Sequence, residues 1–256
     1  MDVRLPDSYV LASHRESTVV AREDALDWAR GAVERAGTLY AYAAAREDAR
    51  VLQGRGPAYR IEAPIGWCVV RHYRRGGEVA RWLGDRYLRA GEPRPLRELR
   101  ASEEARRRGI ETPPVLALAV YPAGAFYRAD IVTAYVPGAV DLAAALFGPT
   151  SLEGGDRLAA WRTAGALLRA LAERGVVHAD LNLKNILLDP SVRPFRTMLL
   201  DLDRCRVVDR VPLFARFAML RRLRRSAGRW AALAGRPITA EERGAFERGY
   251  RGGTDG

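Results

Sequence analysis

Three polar residues in the second half of the chain have the types and spacing that phosphoryl transfer from a nucleotide requires. Asp180 precedes Asn185 on one short predicted loop, and an apolar run then leads to a second carboxylate at Asp201. A carboxylate at position 180 can accept the proton of an acceptor hydroxyl. The side-chain oxygens of Asn185 and Asp201 suit Mg²⁺, which bridges the phosphates of a nucleotide and offsets their charge. We therefore predict that Asp180 is catalytic and that Asn185 and Asp201 are metal ligands.

The same residue types also have ordinary structural uses. Asp and Asn are common loop residues that cap turns, and an isolated His-x-Asp sequence is frequent. Here the spacing, the apolar strand after Asn185 and the strand that ends at Asp201 agree on one site, which favours the chemical interpretation. We expect His178 to shape the loop, whereas Lys184 either reaches a phosphate or is solvated.

Predicted strands and helices surround this loop and must position it. Short runs rich in apolar and β-branched residues predict strands at residues 58–62, 67–71, 115–120 and 129–136. Apolar residues at helical spacing predict helices at residues 25–36, 95–108 and 156–174. The last of these helices ends at Gly175, directly before the loop. The chain before the first helix is expected to be irregular.

A glycine-containing segment precedes the first predicted strand. Gly54 and Gly56 would let backbone N–H groups approach the phosphates of a nucleotide, because glycine has no side chain to block that approach. These two glycines are therefore predicted to bind the nucleotide cofactor. A plain loop is at least as good an interpretation of the same segment.

Composition limits the class of protein. The chain has 256 residues and 48% of them are hydrophobic, which is enough for a sizeable core. No apolar run approaches the roughly eighteen residues of a membrane span, and the N-terminus lacks the apolar core of a signal peptide. We therefore expect a cytosolic protein in which Cys68 and Cys205, which form no C-x-x-C pair, are free thiols.

The net charge of +11 favours an anionic partner. Basic residues number 42 against 31 acidic ones, and every basic residue except Lys184 is an arginine. A GC-rich genome explains the choice of arginine over lysine, but it does not explain the excess of basic over acidic residues. Nucleotides, nucleic acids, acidic sugars and membrane surfaces are all anionic, and the sequence contains no nucleic-acid-binding motif.

Residues 213–230 are predicted to form a basic amphipathic helix. Four apolar residues recur at helical spacing, namely Leu213, Phe217, Leu220 and Leu223. Arginines supply the polar side. Either the apolar face simply packs on the protein, or the helix also presents its arginine face to anionic lipid. The two interpretations are compatible, because only the arginine face has to contact lipid.

The order of the predicted elements resembles the protein-kinase-like fold. Within it, the sequence motifs are similar to those of the bacterial lipopolysaccharide kinases, and in particular of those that phosphorylate 3-deoxy-D-manno-octulosonic acid (Kdo). Four segments carry the resemblance, at residues 70–77, 126–130, 178–189 and 200–204. It implies an α+β fold in one domain, with a small antiparallel sheet in an N-terminal lobe (1–136) and a helical C-terminal lobe (137–256).

The resemblance implies an enzyme that phosphorylates the 4-hydroxyl of Kdo on a Kdo–lipid A precursor, in lipopolysaccharide biosynthesis. ATP and Mg²⁺ are the implied cofactors. The implied partners are the lipid-linked acidic sugar and an anionic membrane surface, at the cytoplasmic face of the bacterial inner membrane. Neither a nucleic acid nor a protein partner is evident.

The resemblance implies the same roles for Asp180, Asn185 and Asp201 and adds two further site residues. Arg71 matches the strand position that usually holds a lysine in kinases, and Glu98 matches the helix glutamate that pairs with it. The arginine departs from the general kinase pattern but fits the signature of the Kdo kinases. Its planar fork can hold phosphate and carboxylate together. Asp203 replaces the glycine of the D-F-G motif, and its role stays open.

Three other classes of protein share parts of this pattern. Small-molecule kinases of the aminoglycoside phosphotransferase type have the same loop, but their polycationic substrates match poorly with a chain of charge +11. Protein kinases need an activation segment and a peptide-binding lobe, and too few residues follow Asp203 for both. A non-catalytic, membrane-associated pseudokinase would not need Asp180, Asn185 and Asp201 together.

Overall fold

Strands dominate the first half of the chain and helices the second half in the computed structural model, which describes residues 5–52, 57–74 and 84–252. The predicted α+β class is therefore confirmed. The chain separates into two compact units, the first made of Met1–Glu103 and Pro113–Tyr135 and the second of Glu104–Thr112 and Val136–Gly256. The expected single domain with its two lobes stays a prediction.

An antiparallel sheet is the centre of the first unit. Its described strands are β1 (Tyr9–His14), β2 (Ser17–Arg22), β3 (Arg50–Leu52), β4 (Ala58–Ala63), β5 (Gly66–His72), β6 (Tyr87–Leu88), β7 (Val115–Ala123) and β8 (Phe126–Ala134). Neighbouring strands follow the order β1-β2-β7-β8-β5-β4-β3, and β6 pairs with β8. The four strands predicted from the sequence are confirmed as β4, β5, β7 and β8.

The expectation of an irregular N-terminus is wrong, because β1 and β2 form a hairpin that extends the sheet beside β7. Val19 and Ala21 of β2 belong to the core on one face of the sheet, and Val20 belongs to the core on the other face. A strand that is buried on both faces shows no alternation of apolar and polar residues. The periodicity that reveals a half-buried strand is therefore missing here.

Helices cover both faces of this sheet. They are α1 (Leu26–Ala36), α2 (Leu39–Ala44) and α3 (Arg94–Arg107). Trp28 and Leu39 of the first two helices pack with Val70 on one face. Leu96 and Leu99 of α3 pack in the core of the other face. The predicted helices at residues 25–36 and 95–108 are thus confirmed, and the second of them brings Glu98 to the sheet.

Four helices form about half of the described part of the second unit. They are α4 (Leu142–Phe147), α5 (Gly154–Glu173), α6 (Leu213–Leu233) and α7 (Ala240–Arg251). The short strands are β9 (Val140–Asp141), β10 (Val176–His178), β11 (Ile186–Asp189), β12 (Arg196–Leu199) and β13 (Cys205–Val207). β10 pairs with β13, and β11 lies between β12 and β9. The predicted long helix before the loop is confirmed as α5.

Helix α6 confirms the predicted basic helix, but the interpretation in which its predicted apolar stripe packs on the protein holds for only part of the stripe. Its buried residues form an inner face made of Ala215, Met219, Leu223, Ala227 and Ala231. Of the four residues of the predicted stripe, Leu223 lies on this face, whereas Leu213 and Phe217 are exposed. Alanines at three inner positions let the helix approach the unit closely, and this orientation turns the larger side chains outward. No helix in the described part of the chain is both long enough and apolar enough to cross a bilayer.

Two glycines let α5 and α7 pack with their backbones in contact. A Cβ atom on either Gly165 or Gly249 would overlap a backbone carbonyl oxygen of the facing helix. A buried ion pair joins the same two helices, between Arg157 of α5 and Glu242 of α7. Glu242 also closes a capping box with Thr239 at the start of α7. Helix α7 is therefore fixed to α5, the helix that precedes the loop around Asp180.

We expect Gly249→Ala to destabilise the protein by about 1–3 kcal/mol, because the added methyl group forces the two helix backbones apart. Gly228→Ala on α6 is the matched control, since no neighbouring atom among the described residues lies within 4 Å of a Cβ atom there. That change should be neutral or should stabilise the helix by up to about 1 kcal/mol. Urea unfolding measures both, and equal unfolding free energies for the two variants would contradict the close helix contact.

Candidate functional site

The loop between β10 and β11 holds the predicted catalytic carboxylate and one predicted metal ligand close together. The carbonyl oxygen of Asp180 accepts hydrogen bonds from the side-chain amides of Asn182 (2.8 Å) and Asn185 (2.9 Å). Asn182 also caps the short helical turn Leu183–Asn185 by accepting from the N–H of Lys184 (3.0 Å). These bonds explain the spacing of Asp180 and Asn185, because they close the loop on itself.

A buried histidine connects this loop to the segment that leads to Asp201. His178 is completely buried, and its Nδ1 accepts the N–H of Asp180 (3.2 Å). A backbone N–H can only donate, so the ring proton lies on Nε2, which donates to the carbonyl oxygen of Leu200 (3.0 Å). His178 therefore positions the loop, which is the role expected from the sequence.

Asp201 lies two residues beyond β12 in a left-handed backbone conformation, with φ 60° and ψ 56°. Few residues other than glycine adopt this region, although Asp does so more readily than most. The N–H of Leu200 donates to the carbonyl oxygen of Asn185 (2.9 Å). In the β11–β12 pair, Ile186 lies opposite Leu199. The two predicted metal ligands thus lie on neighbouring backbone segments joined by hydrogen bonds.

Asn185 and Asp201 fit Mg²⁺ by the chemistry of their donor atoms. The amide nitrogen of Asn185 donates within the loop, so the amide oxygen is the atom that a cation can use. Asp201 supplies a carboxylate from the adjacent segment. Mg²⁺ is usually bound by one or two such protein oxygens, and phosphates and water molecules complete its octahedral coordination.

The first unit contains the cation and the glutamate that the family resemblance predicts. Arg71 at the end of β5 contacts both carboxylate oxygens of Glu98 through Nη2, at 2.6 and 2.9 Å. Glu98 is only 4% exposed, and a buried carboxylate needs such partners to offset its lost hydration. The hydroxyl of Tyr73 also donates to Glu98, and the guanidinium carbon of Arg71 lies 4.9 Å from the centre of the Tyr73 ring. The structure thus brings Arg71 and Glu98 together and adds Tyr73.

The contact of Tyr73 with Glu98 was not predicted, although the alternation of side chains along a strand could have indicated it. Side chains alternate across a strand, so residues 71 and 73 point to the same side of the sheet. That side is the one covered by α3, where Tyr73 packs with Leu96 and Leu99. A tyrosine two residues after the cation can therefore reach the same glutamate.

His72 points to the opposite face and lies between two carboxylates. Its Nδ1 is 2.6 Å from Oδ1 of Asp130 on β8, and its Nε2 is 3.1 Å from Oδ2 of Asp85. Asp130 is completely buried and also accepts from the hydroxyl of Tyr121 and the N–H of Tyr40, both at 2.8 Å. Burial disfavours the charged imidazole, but the hydrogen bonds and charges of Asp130 and Asp85 outweigh it. The pKa of His72 is therefore raised.

Two residues with open roles lie near the loop. Nζ of Lys184 is 3.2 Å from Oδ2 of Asp141 and 5.4 Å from the centre of the Trp230 ring. A carboxylate and an aromatic face therefore hold the lysine, which is not a fully solvated side chain. Asp203 is buried in the short helical turn Leu202–Arg204 that directly follows Asp201.

The predicted glycine flap lies outside the described residues. Gly54 and Gly56 belong to residues 53–56, and the end of the basic segment at residues 70–77 belongs to residues 75–83. The prediction that these glycines contact a nucleotide therefore stays a prediction.

Comparisons with known proteins point to one family. The profile of the lipopolysaccharide kinase (Kdo/WaaP) family matches residues 44–250. The chain is 36% identical over 153 residues to a 3-deoxy-D-manno-octulosonic acid kinase of Xylella fastidiosa (strain M12), over 59% of this chain and 58% of the relative. It is 38% identical over 176 residues to the Stenotrophomonas maltophilia (strain R551-3) protein of the same name, over 68% and 66%. The chain thus spans less than two thirds of the length of these curated relatives.

A solved structure described as WaaP in complex with acyl carrier protein has a similar fold. The TM-score is 0.57, and the likeness covers 92% of this chain and 89% of that chain at 20% sequence identity. At this identity the comparison concerns the fold alone. It supports the kinase-like α+β fold expected from the sequence.

The raised pKa of His72 predicts a contribution to stability that depends on pH. A histidine whose pKa is raised by folding stabilises the protein fully below its unfolded value of 6.5, and this contribution is lost as the pH rises through the folded value. The unfolding free energy lost in His72→Gln should therefore be largest near about pH 5.5 and should shrink towards about pH 8.5.

Tyr121→Phe is the matched control for His72→Gln. It removes a hydrogen bond from a neutral hydroxyl to the same buried carboxylate, Asp130. Burial first, and then the charge of Asp130, raises the pKa of Tyr121, so its hydroxyl stays protonated across this pH range. Chemical unfolding at each pH measures both variants. A cost of His72→Gln that is as constant as that of Tyr121→Phe would contradict a charged imidazole at position 72.

Proposed function

The chain belongs to the lipopolysaccharide kinase (Kdo/WaaP) family, and on this basis we propose that it transfers a phosphoryl group from ATP to a Kdo sugar. The proposed acceptor is the 4-hydroxyl of Kdo on a Kdo–lipid A precursor. The observation that carries the proposal is the closed loop at Asp180 and Asn185, joined through His178 and Leu200 to the segment of Asp201. Relatives named as 3-deoxy-D-manno-octulosonic acid kinases support Kdo as the sugar that is phosphorylated.

In the proposed reaction, the oxygen of the sugar hydroxyl attacks the γ-phosphorus of ATP. A new phosphorus–oxygen bond forms, and the bond to the β-phosphate breaks to release ADP. The hydroxyl proton passes to the carboxylate of Asp180. Mg²⁺, when bound by Asn185 and Asp201, would offset the charge of the phosphates. His178 accepts a hydrogen bond from the backbone N–H of Asp180, and Asn185 donates one to the carbonyl oxygen of Asp180. These two bonds hold that carboxylate in place.

Arg71 is proposed to bind phosphate oxygens of ATP. A guanidinium carries five N–H donors in one plane, and the Arg71 side chain is 35% exposed although Glu98 is buried, so solvent can reach it. Glu98 and the ring of Tyr73 fix the orientation of the guanidinium plane. A fixed, planar donor group suits phosphate oxygens, which explains why arginine can replace the usual lysine at this position.

A lipid-linked acceptor places the proposed reaction at a membrane surface, on the cytoplasmic side of the bacterial inner membrane. The net charge of +11 supports attraction to an anionic leaflet. The WaaP structure contains an acyl carrier protein, so such a carrier is a candidate partner that the sequence did not predict. The family membership does not favour an aminoglycoside kinase, and a pseudokinase would not need Asp180, Asn185 and Asp201 together.

The proposed function is tested by incubating the protein with labelled ATP and Kdo–lipid A acceptors that differ in acylation. Mass spectrometry should detect one added phosphate on the Kdo residue, and the reaction should require Mg²⁺. Transfer to none of these acceptors, or transfer to aminoglycosides instead, would overturn the proposal.

Asp180→Ala and Asp201→Asn should impair different steps, the first phosphoryl transfer and the second Mg²⁺-dependent ATP binding. Without its proton acceptor, Asp180→Ala should lose on the order of 10²–10⁴-fold in turnover while ATP still binds. Asp201→Asn should weaken ATP binding mainly when Mg²⁺ is present, because a charged ligand becomes neutral. Asp209→Ala, which changes an exposed aspartate of the same unit, serves as the control for both assays. Turnover of Asp180→Ala within about threefold of the wild type would contradict its catalytic role.

Arg71→Ala should raise the KM for ATP more than Arg71→Lys does, because lysine keeps the charge but loses the fork. Tyr73→Phe removes one hydrogen bond to Glu98 and keeps the ring under the guanidinium, so it should raise the KM for ATP less than either change. Initial rates at varied ATP give the KM and kcat of each variant. Wild-type values for both Arg71 variants would show that another residue binds the phosphates.

A further inference from the structure

Helix α6 presents large apolar side chains to solvent on the side opposite its inner face. Leu213, Phe214 and Phe217 are 69%, 73% and 67% exposed. At 3.6 residues per turn, residues 214, 217, 221, 224 and 225 share one side of the helix. This outer face therefore carries two exposed aromatic rings followed by three exposed arginines, namely Phe214, Phe217, Arg221, Arg224 and Arg225.

The outer face lies in a segment whose charged residues are all basic. Residues 210–240 contain eight arginines and neither aspartate nor glutamate. In the part of the chain that the structure describes, no carboxylate pairs with Arg221, Arg224 or Arg225. Exposed arginines elsewhere are often paired, as Arg107 is with Glu104 and Arg193 is with Asp156. The outer face of α6 is thus a site of unbalanced positive charge.

The inner face of α6 is bound to the catalytic loop, so the helix cannot turn its aromatic residues inward without breaking these contacts. The N–H of His178 donates to the sulfur of Met219 (3.4 Å), and the N–H of Leu183 donates to the hydroxyl of Ser226 (3.2 Å). The ring of Trp230 lies under the ammonium group of Lys184. The exposure of Phe214 and Phe217 is therefore a fixed property of the folded second unit.

We propose that the outer face of α6 docks on a lipid bilayer whose surface contains anionic phospholipids. Phe214 and Phe217 enter the boundary between headgroups and acyl chains, and Arg221, Arg224 and Arg225 bind lipid phosphates. The proposal rests on the proposed function, because only a lipid-linked acceptor requires the enzyme to work at a membrane. It differs from a purely electrostatic attachment, since the apolar residues contact lipid as well.

The mixture of residue types on one face favours a bilayer over an acidic protein. A protein partner would need an apolar pocket and an acidic patch arranged to match this helix. A bilayer offers hydrocarbon directly beneath a layer of phosphates wherever the helix lies in its plane. Long arginine side chains can then extend upward to the phosphates while the neighbouring aromatic rings point into the hydrocarbon.

Vesicle sedimentation of the full chain tests the proposal. We would compare phosphatidylcholine vesicles with vesicles that also contain phosphatidylglycerol, at low and at high salt. The wild type should sediment with the anionic vesicles and should keep part of its binding at high salt, because apolar contacts are not screened. Changing Arg221, Arg224 and Arg225 to Gln should weaken binding at low salt by about fivefold per residue, and on the order of a hundredfold together.

The contribution of the aromatic residues to vesicle binding is measured separately, at high salt. Phe214→Ser with Phe217→Ser should abolish the binding that survives high salt, and should weaken low-salt binding by at least about tenfold. Leu88→Ser removes an exposed apolar residue of the first unit and is the matched control. Changing Arg15, Arg50 and Arg89 to Gln removes three exposed charges elsewhere and is the control for the arginine variant. Both controls should sediment like the wild type.

Two results would overturn the proposal. One is vesicle binding that the aromatic and arginine variants do not weaken more than their controls do. The other is a failure of the wild type to bind either kind of vesicle. A water-soluble, deacylated Kdo acceptor separates this test from the proposed function. The docking variants should phosphorylate it at the wild-type rate, whereas absence of transfer by the wild type would count against the function alone.

Discussion

The loop around Asp180, in the second unit, depends on one buried imidazole. His178 accepts a hydrogen bond from the backbone of Asp180 and donates one to the residue before Asp201. These two carboxylates come from different segments of the chain, and the rigid ring sets the position of one backbone against the other. Away from water, both hydrogen bonds keep their full strength. A side chain without one donor and one acceptor on a rigid frame could not make the same connection.

A related constraint operates in the first unit, where two carboxylates are buried on opposite faces of one sheet. Glu98 lies on the face covered by α3, and Asp130 lies on the other. An unpaired buried carboxylate costs several kcal/mol. Arg71, His72 and Tyr73 supply partners for both carboxylates, because alternate side chains of a strand point to opposite faces. The same three residues therefore stabilise the sheet and aim the proposed phosphate-binding cation.

Local patterns predicted much of the fold and the position of the loop in the candidate site. The hairpin of β4 and β5, the long helix α5 and the loop around Asp180 each have a signal within a few neighbouring residues. The N-terminal hairpin was missed because β2 is buried on both faces and has no alternation. The inner face of α6 was not predicted, because two apolar stripes overlap on that helix and only the packed unit decides which one is buried. The pairing of His72 with Asp130 joins residues far apart in sequence, and no local pattern contains it.

Helix α6 packs against the loop around Asp180 on one side and exposes its outer face on the other. The thickness of the helix therefore sets the distance between that loop and whatever the outer face contacts. An α-helix with its side chains is about 10–12 Å across. With the outer face resting on lipid phosphates, the loop would stand roughly that far above them. An acceptor hydroxyl would then be selected by its height above the bilayer, in addition to the chemistry of its sugar. Sugars attached close to the lipid would lie within reach of Asp180, and those farther along a saccharide chain would lie beyond it.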